Sequence, residues 1–206
     1  MDRQGDTMIC GIILAAGCSS RMGTQKLLLP FGKNTVISHI VNQLINSEVT
    51  KTYVVVGHQS EQVTEELSNK PVTIINNPEY KTGMLSSVRA GISNVPQDCE
   101  EILIALGDHP SITTSFINEL IQKYSQTDKK IIVPKYNDKR GHPILFSSIF
   151  KDKILTDYDD IGLRGLLRTH DSDIYEMSVS DCSVVSDMDY PQDYQREIKR
   201  LENENK

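Results

Sequence analysis

Arg21 and Lys26 stand in the stretch Leu14-Ala-Ala-Gly-Cys-Ser-Ser-Arg-Met-Gly-Thr-Gln-Lys-Leu-Leu-Leu-Pro30, directly after the apolar run Met8 to Leu14. An apolar run that ends in small residues and then carries fixed positive charge has the form of a buried strand opening into an anion-binding loop. Gly17 and Gly23 suit a sharp turn and a close backbone approach, because a residue without Cβ enters conformations closed to others. Successive N–H groups in such a loop can cradle oxyanions, and the two cations add charge to them. The expected anion is a nucleotide phosphate. Two better-known phosphate loops are excluded, since neither the Walker A spacing nor G-x-G-x-x-G occurs here.

A second set of candidates is acidic. Asp108, in Leu106-Gly-Asp-His-Pro110, follows the apolar run Glu101 to Leu106. Mg²⁺ takes one or two carboxylates and completes its shell with phosphate and water oxygens, so Asp108 needs a partner. Asp187 and Asp189 alternate around Met188 and share a side if that segment is extended. Arg140-Gly141-His142-Pro143 is a third candidate, a turn that can hold a guanidinium and an imidazole toward a second substrate. In Asn77-Pro-Glu-Tyr-Lys-Thr-Gly83-Met-Leu-Ser86-Ser87 the serines could meet a base or a phosphate at a helix N-terminus, and Ser also serves as a cap. His39 reads as structural, His58 as a residue near the nucleotide, and His170 has no supporting context.

The elements that must position these residues alternate. Strands are expected over 8–14, 52–57, 72–75 and 101–107, with helices over 35–45, 59–68, from 86 onward and over 112–124. That order implies a mostly parallel sheet with right-handed crossovers and helices on both faces. Ligands in such folds bind at the carboxyl ends of strands, at a switch in strand order, and Gly17, Gly57, Asn77 and Asp108 all follow predicted strands. Further on, strands are expected at 131–134, at 140–146 after a turn, at 174–179 and at 183–188. Short helices are expected over 147–155 and 162–169, and a charged terminal helix from Pro191 to Glu204. Residues 1–7 read as a polar leader.

Composition bounds the rest. A chain of 206 residues suits one domain, with a nucleotide-binding half over about 8–125 and an acceptor-binding extension over about 126–206. A formal charge of −6 argues against a general nucleic-acid or anionic-membrane binder. Cys10, Cys18, Cys99 and Cys182 are scattered without a C-x-x-C pair. No signal peptide or membrane-length apolar run is recognisable, and a cytoplasmic location is expected.

The spacing L-A-A-G-x-S-x-R-M-G-x-x-K-x-x-L-P resembles the signature of the molybdenum cofactor nucleotidyltransferases. The resemblance implies a Rossmann-like, three-layer α/β nucleotidyltransferase fold of the GT-A-like kind. It implies that Leu14, Ala15, Ala16, Gly17, Arg21, Lys26, Asn77, Gly83, Ser86 and Ser87 bind the nucleotide, and that Arg21, Lys26 and Asp108 are catalytic. Gly107-Asp108-His109-Pro110 is similar to the family's G-D-x-P motif, whose Asp coordinates Mg²⁺. Asp187-Met-Asp-Tyr-Pro-Gln-Asp193 is similar to its late acidic segment, making Asp187 or Asp189 the second metal ligand. His109 and Tyr190 depart from the usual residues. Arg140, Gly141, His142 and Pro143 resemble an acceptor-binding motif of the cytidylyltransferase branch, and Ala16 points the same way. The implied reaction joins CTP to molybdopterin with release of pyrophosphate. Alternatives are another NTP or a sugar-phosphate acceptor, and, from a different class, a cofactor-binding maturation factor serving a molybdenum hydroxylase such as a xanthine dehydrogenase.

Overall fold

A computed structural model describes residues 7–159 and 161–204, so the leader expected over residues 1–7 lies outside the described residues except for Thr7. In chain order the strands are β1 (Ile9–Ala15), a short hairpin of β2 (Pro30–Phe31) and β3 (Asn34–Thr35), β4 (Lys51–Val56), β5 (Thr73–Asn76), β6 (Glu101–Leu106), β7 (Ile131–Tyr136), β8 (Lys139–Arg140), β9 (Ile144–Ser147) and β10 (Ile174–Val179). The helices are α1 (Val36–Ile45), α2 (Ser60–Glu66), α3 (Met84–Asn94), α4 (Thr114–Ser125), α5 (Lys151–Thr156), α6 (Arg164–Thr169) and α7 (Pro191–Glu204).

The main sheet runs β10-β7-β9-β6-β1-β4-β5, with β8 paired to β7. The β1–β4, β1–β6, β4–β5 and β7–β10 pairs are parallel, whereas β9 is antiparallel to both β6 and β7. The expected mostly parallel α/β sheet is therefore borne out. After β1 the chain lays β4 and β5 to one side and then returns to place β6 on the other. The switch in strand order lies at β1, where a crevice opens at the carboxyl ends.

β1 is buried on both faces because its residues alternate between two cores. Ile9 and Ile13 pack with α1 and α4, while Cys10 and Ile12 pack with α3, α5 and α6. α1 forms where Val36, Ile37, Ile40, Val41 and Leu44 share one face, and the Thr35 hydroxyl accepts the Ser38 N–H at 3.2 Å to cap it. Thr113 caps α4 in the same way through the Phe116 N–H.

Two expectations are corrected. α3 starts at Met84, two residues before the expected serine cap. Gly83, at φ 118°, makes the turn, and the Ser86 hydroxyl donates back to the carbonyls of Glu79 and Gly83 instead of accepting a helix N–H. Residues 183–188 do not form a strand. Cys182–Val185 is a 3-10 turn, and its one bond to the neighbouring turn is the His142 N–H donated to the Val184 carbonyl at 2.8 Å. Serine-rich local bonding, including Ser186 Oγ to the Cys182 carbonyl, competes with a ladder there.

Candidate active site

Two adjoining cavities open at the carboxyl ends of β1 and β6. The smaller, about 420 Å³, is lined by Leu14 to Arg21, Lys26, Leu27, Tyr80, Gly83, Met84, Ser87, Leu106 to Asp108, Asp187 and Asp189. The larger, about 900 Å³, shares Gly83, Met84, Leu106 and Asp187 with it and extends along His109, Lys139 to His142, Asp159, Ile161 to Arg164, Leu167 and Arg168.

The loop after β1 is shaped by more than its glycines. Ser19 (φ 49°) and Gly23 (φ 68°) take the left-handed turns, whereas Gly17 does not, which corrects the expectation for Gly17. A Cβ on Gly17 would meet nothing within 4 Å, so its role at the cavity wall is openness and not forced geometry. The Ser19 hydroxyl accepts the Lys26 N–H at 3.3 Å and donates to Gln25 Oε1 at 3.0 Å. Gln25 in turn donates to the His58 carbonyl at 3.2 Å, and the His58 N–H donates to the Ala16 carbonyl at 3.2 Å. His58 thus braces the loop through its backbone.

Charge is concentrated at one point. Lys26, only 7% exposed, donates from Nζ to Asp108 at 2.7 Å and to Asp189 at 2.9 Å. Arg21 pairs with Asp189 on its outer side and lies 5.9 Å over the Tyr190 ring. Burial alone would pull the Lys26 ammonium down, but the charges and hydrogen bonds of Asp108 and Asp189 more than offset it and hold its pKa above the ordinary value. The Lys26 hydrogen bond, helped by Arg21, keeps the Asp189 carboxyl below the usual range despite burial. Asp193 steadies this segment by accepting the N–H groups of Asp189 at 3.2 Å and Tyr190 at 2.8 Å. Met188 between the two acidic residues is fully buried, so Asp187 and Asp189 both turn to the cavities even without strand pairing.

These carboxylates can be weighed as metal ligands. No cluster of three or more His, Cys, Asp or Glu residues forms a cage among the described residues. Asp108 and Asp189 nevertheless sit within hydrogen-bond distance of one ammonium and line the same cavity, with Asp187 beside them. Hard oxygen donors of this number suit a divalent cation that draws its remaining ligands from phosphate and water.

The Arg140-to-Pro143 turn presses against the segment that carries the acidic pair. A Cβ on Gly141 would come within 2.2 Å of the Val184 carbonyl oxygen, so only glycine fits. The His142–Pro143 bond is cis. Arg140 points to Glu176 and Asp171, each at 2.7 Å, and is neutralised by them. His142 and His109 face each other edge to face, 6.2 Å apart, and the Nδ1 atom of each is buried without a partner. Burial pushes His142 down to about 4 and lowers His109 as well, so both rings are neutral.

Of the expected site residues, Leu14 to Gly17, Arg21, Lys26, Gly83, Ser87, Asp108, Asp187 and Asp189 line the smaller cavity, and Arg140, Gly141 and His142 line the larger. Asn77 and Ser86 line neither. The buried Asn77 amide donates to the hydroxyls of Ser86 at 2.9 Å and Ser87 at 3.0 Å and so fixes the start of α3. Pro143 also lies behind the wall, in the core below His142. His39 packs edge-on to Phe31 and His170 against Phe150. Sequence reasoning missed Tyr80, Arg164 and Arg168 as lining residues, the last two signalled only by their spacing of four on a short helix.

The sequence matches the family description "MobA-like NTP transferase domain" over residues 11–174. It is 29% identical over 184 residues to the molybdenum cofactor cytidylyltransferase of Escherichia coli, covering 89% of this chain and 92% of that protein. It is 26% identical over 200 residues to nicotine blue oxidoreductase of Paenarthrobacter nicotinovorans, covering 90% and 95%. Among solved structures, Rv0371c of Mycobacterium tuberculosis superposes with a TM-score of 0.81 at 26% identity over 94% of this chain and 98% of that one. A manganese complex of Rv0371c superposes with a TM-score of 0.79 at 24% identity, over 94% and 99%.

Proposed function

The chain belongs to the MobA-like NTP transferase family, and from that premise we propose that it is a cytidylyltransferase joining CTP to molybdopterin with release of pyrophosphate. It is a nucleotidyltransferase; what is proposed is the nucleotide, the acceptor and the residues that serve them. The observation that carries the reading is Lys26 held between Asp108 and Asp189 in the smaller cavity, which borders the larger at Leu106 and Asp187. A phosphate nucleophile is already ionised at neutral pH, so the chain needs to position and neutralise, not to abstract a proton.

In this reading the triphosphate lies in the smaller cavity. Backbone N–H groups of the loop from Ala16 to Arg21 approach its oxygens, and Arg21 and Lys26 supply charge. Ser87 and Gly83 line the far wall, with Asn77 and Ser86 supporting them from behind. Asp108 and Asp189 would hold Mg²⁺, with Asp187 alongside; Asp189 is favoured as the second ligand because it already shares Lys26 with Asp108. Bound there, Mg²⁺ would offset the negative charge that builds on the transferred phosphorus and the departing pyrophosphate. Lys26 and Arg21 exchange their carboxylate partners for phosphate oxygens as the nucleotide enters. The acceptor lies in the larger cavity against Gly141 and His142, its phosphate directed past Asp187 toward the α-phosphorus. Arg140, turned to Glu176 and Asp171, shapes that wall instead of meeting the acceptor directly. The chain then works as one unit, residues of about 8–125 serving the nucleotide together with Asp187 and Asp189, and about 126–206 supplying most of the acceptor wall. No helix among the described residues is long and apolar enough to cross a membrane.

CTP is preferred on the strength of the Escherichia coli relative, Ala16 at the first turn and the Arg140-Gly-His-Pro143 motif. The test is pyrophosphate release with Mg²⁺ and purified molybdopterin, run with CTP or GTP and without acceptor. Release that requires both CTP and molybdopterin supports the reading; release with GTP alone reassigns the nucleotide, and none with either rejects molybdopterin as acceptor.

A further inference from the structure

Seven arginines lie among the described residues, and five of them pair with carboxylates. Arg21 meets Asp189, Arg89 meets Asp159, Arg140 meets Asp171 and Glu176, Arg196 meets Asp193, and Arg200 meets Asp181. Arg164 and Arg168 have no carboxylate partner among the described residues, and both line the larger cavity and not the smaller. In a chain with 28 acidic residues against 22 basic ones, two arginines that pair with no carboxylate add positive charge to a cavity whose own carboxylates are Asp159, paired with Arg89, and Asp187 at the border with the smaller cavity.

Their placement is fixed. Residues four apart on a helix share a face. Leu163, Leu166 and Leu167 are buried in the core below, so α6 cannot roll the pair away without unpacking it. His109 lines the same cavity, is 5% exposed, and keeps its Nδ1 without a partner. A buried polar atom left unpaired is costly, and a ligand group in the cavity that His109 lines can satisfy it.

We propose that Arg164 and Arg168 form a second anion subsite, one that takes an anionic group of the acceptor other than the phosphate that attacks. The inference rests on the acceptor reading of the larger cavity given above. It specifies the acceptor class: an organic phosphate whose other end carries a second negative group, with an apolar or planar middle against Met84, Leu85 and Ile144. A pair of planar guanidinium forks binds such a group with direction as well as charge, which ammonium groups do not.

The test compares wild type with the R164Q/R168Q and R164K/R168K double variants in pyrophosphate release with Mg²⁺, once with molybdopterin varied at saturating CTP and once with CTP varied at saturating molybdopterin. Both side chains are exposed and outside the core, so unfolding is not expected, and thermal melting checks this. The Gln variant should raise the KM for molybdopterin at least about tenfold while the KM for CTP stays within about twofold, and the Lys variant should recover part of the loss. An unchanged acceptor KM, or a CTP KM that rises in step, overturns the subsite. A second readout needs no acceptor: the Nε–H resonances of Arg164 and Arg168 are followed while inorganic phosphate is added to wild type saturated with CTP and Mg²⁺. Both should shift together, and absence of any shift overturns the subsite whatever the acceptor. A shift without turnover on molybdopterin supports the subsite and rejects the molybdopterin reading alone.

Discussion

The two cavities meet at Asp187 yet treat charge in opposite ways. In the smaller, each of the two cations is already answered: Arg21 by Asp189, and Lys26 by both Asp108 and Asp189. In the larger, Arg140 is answered but Arg164 and Arg168 are not. A self-neutralised site stays folded and low in strain without ligand, and a highly charged triphosphate enters it only by exchanging with the carboxylates. The unpaired Arg164 and Arg168 instead attract an anion directly. The difference suits a site where one substrate arrives with a divalent cation, which can occupy the displaced carboxylates, and the other arrives without one.

The sharpest way to break the comparison is Lys26→Met. It removes the group both carboxylates share, and turnover should fall by about 10²–10³ with the acceptor KM little changed, as for loss of one preorganised charge at a transition state. Near-normal turnover would show that the shared ammonium is structural only. Gly141→Ala comes next. Its Cβ would meet the Val184 carbonyl oxygen at 2.2 Å, so the 182–189 segment must move, with a stability loss of about 3 kcal/mol by chemical denaturation and a parallel drop in turnover. An unaffected midpoint and rate would separate the two cavities mechanically.

A pH series sharpens the same contrast. His142 is neutral because burial lowers it to about 4, whereas in the unfolded chain it titrates near 6.5. The unfolded chain therefore takes up the proton first, and stability present above about pH 6.5 is lost as pH falls toward 4, by about 3 kcal/mol in all. Urea melts of wild type and His142→Gln between pH 7 and 4 should show a shallower decline in the variant; equal slopes would mean that His142 is accessible to protons in the fold. The smallest effect is expected for Asp189→Asn. Without its charge the smaller cavity loses its internal competitor, and CTP affinity without Mg²⁺ should rise about tenfold by calorimetry while turnover with Mg²⁺ falls. Weaker metal-free binding would contradict the exchange of partners proposed for Lys26 and Arg21.

How much of this was legible in the sequence differs between the cavities for a physical reason. The smaller one is built from contiguous chain. A strand, its following loop and one further strand end carry most of it, so an apolar run, fixed cations and the Gly107-Asp108 step reveal both its place and its charge. The alternation of apolar runs also gave the parallel sheet. The larger cavity is assembled from α3, the turn before β9, α6 and the 182–187 segment, and nothing in the spacing of Arg164 and Arg168 says which wall they face. Asn77 and Ser86 stand behind the cavity wall because their side chains bond each other and the turn before α3, and a residue that lines a site and one that supports it from behind have the same sequence signature. The 183–188 run reads as a strand because Val184, Val185 and Met188 are apolar; it lacks a partner strand because the Gly141 turn occupies its flank.

The similar proteins include one named as an oxidoreductase with coverage as high as that of the cytidylyltransferase, so group transfer in this chain is best tested by following the atom that moves. CTP labelled at the α-phosphate is incubated with Mg²⁺, molybdopterin and the purified protein, and the products are separated. The expected result is label in a new species larger than CTP, formed together with unlabelled pyrophosphate and lost in Lys26→Met. Label that stays in CTP, or appears only as CMP whether or not molybdopterin is present, would contradict nucleotidyl transfer to that acceptor.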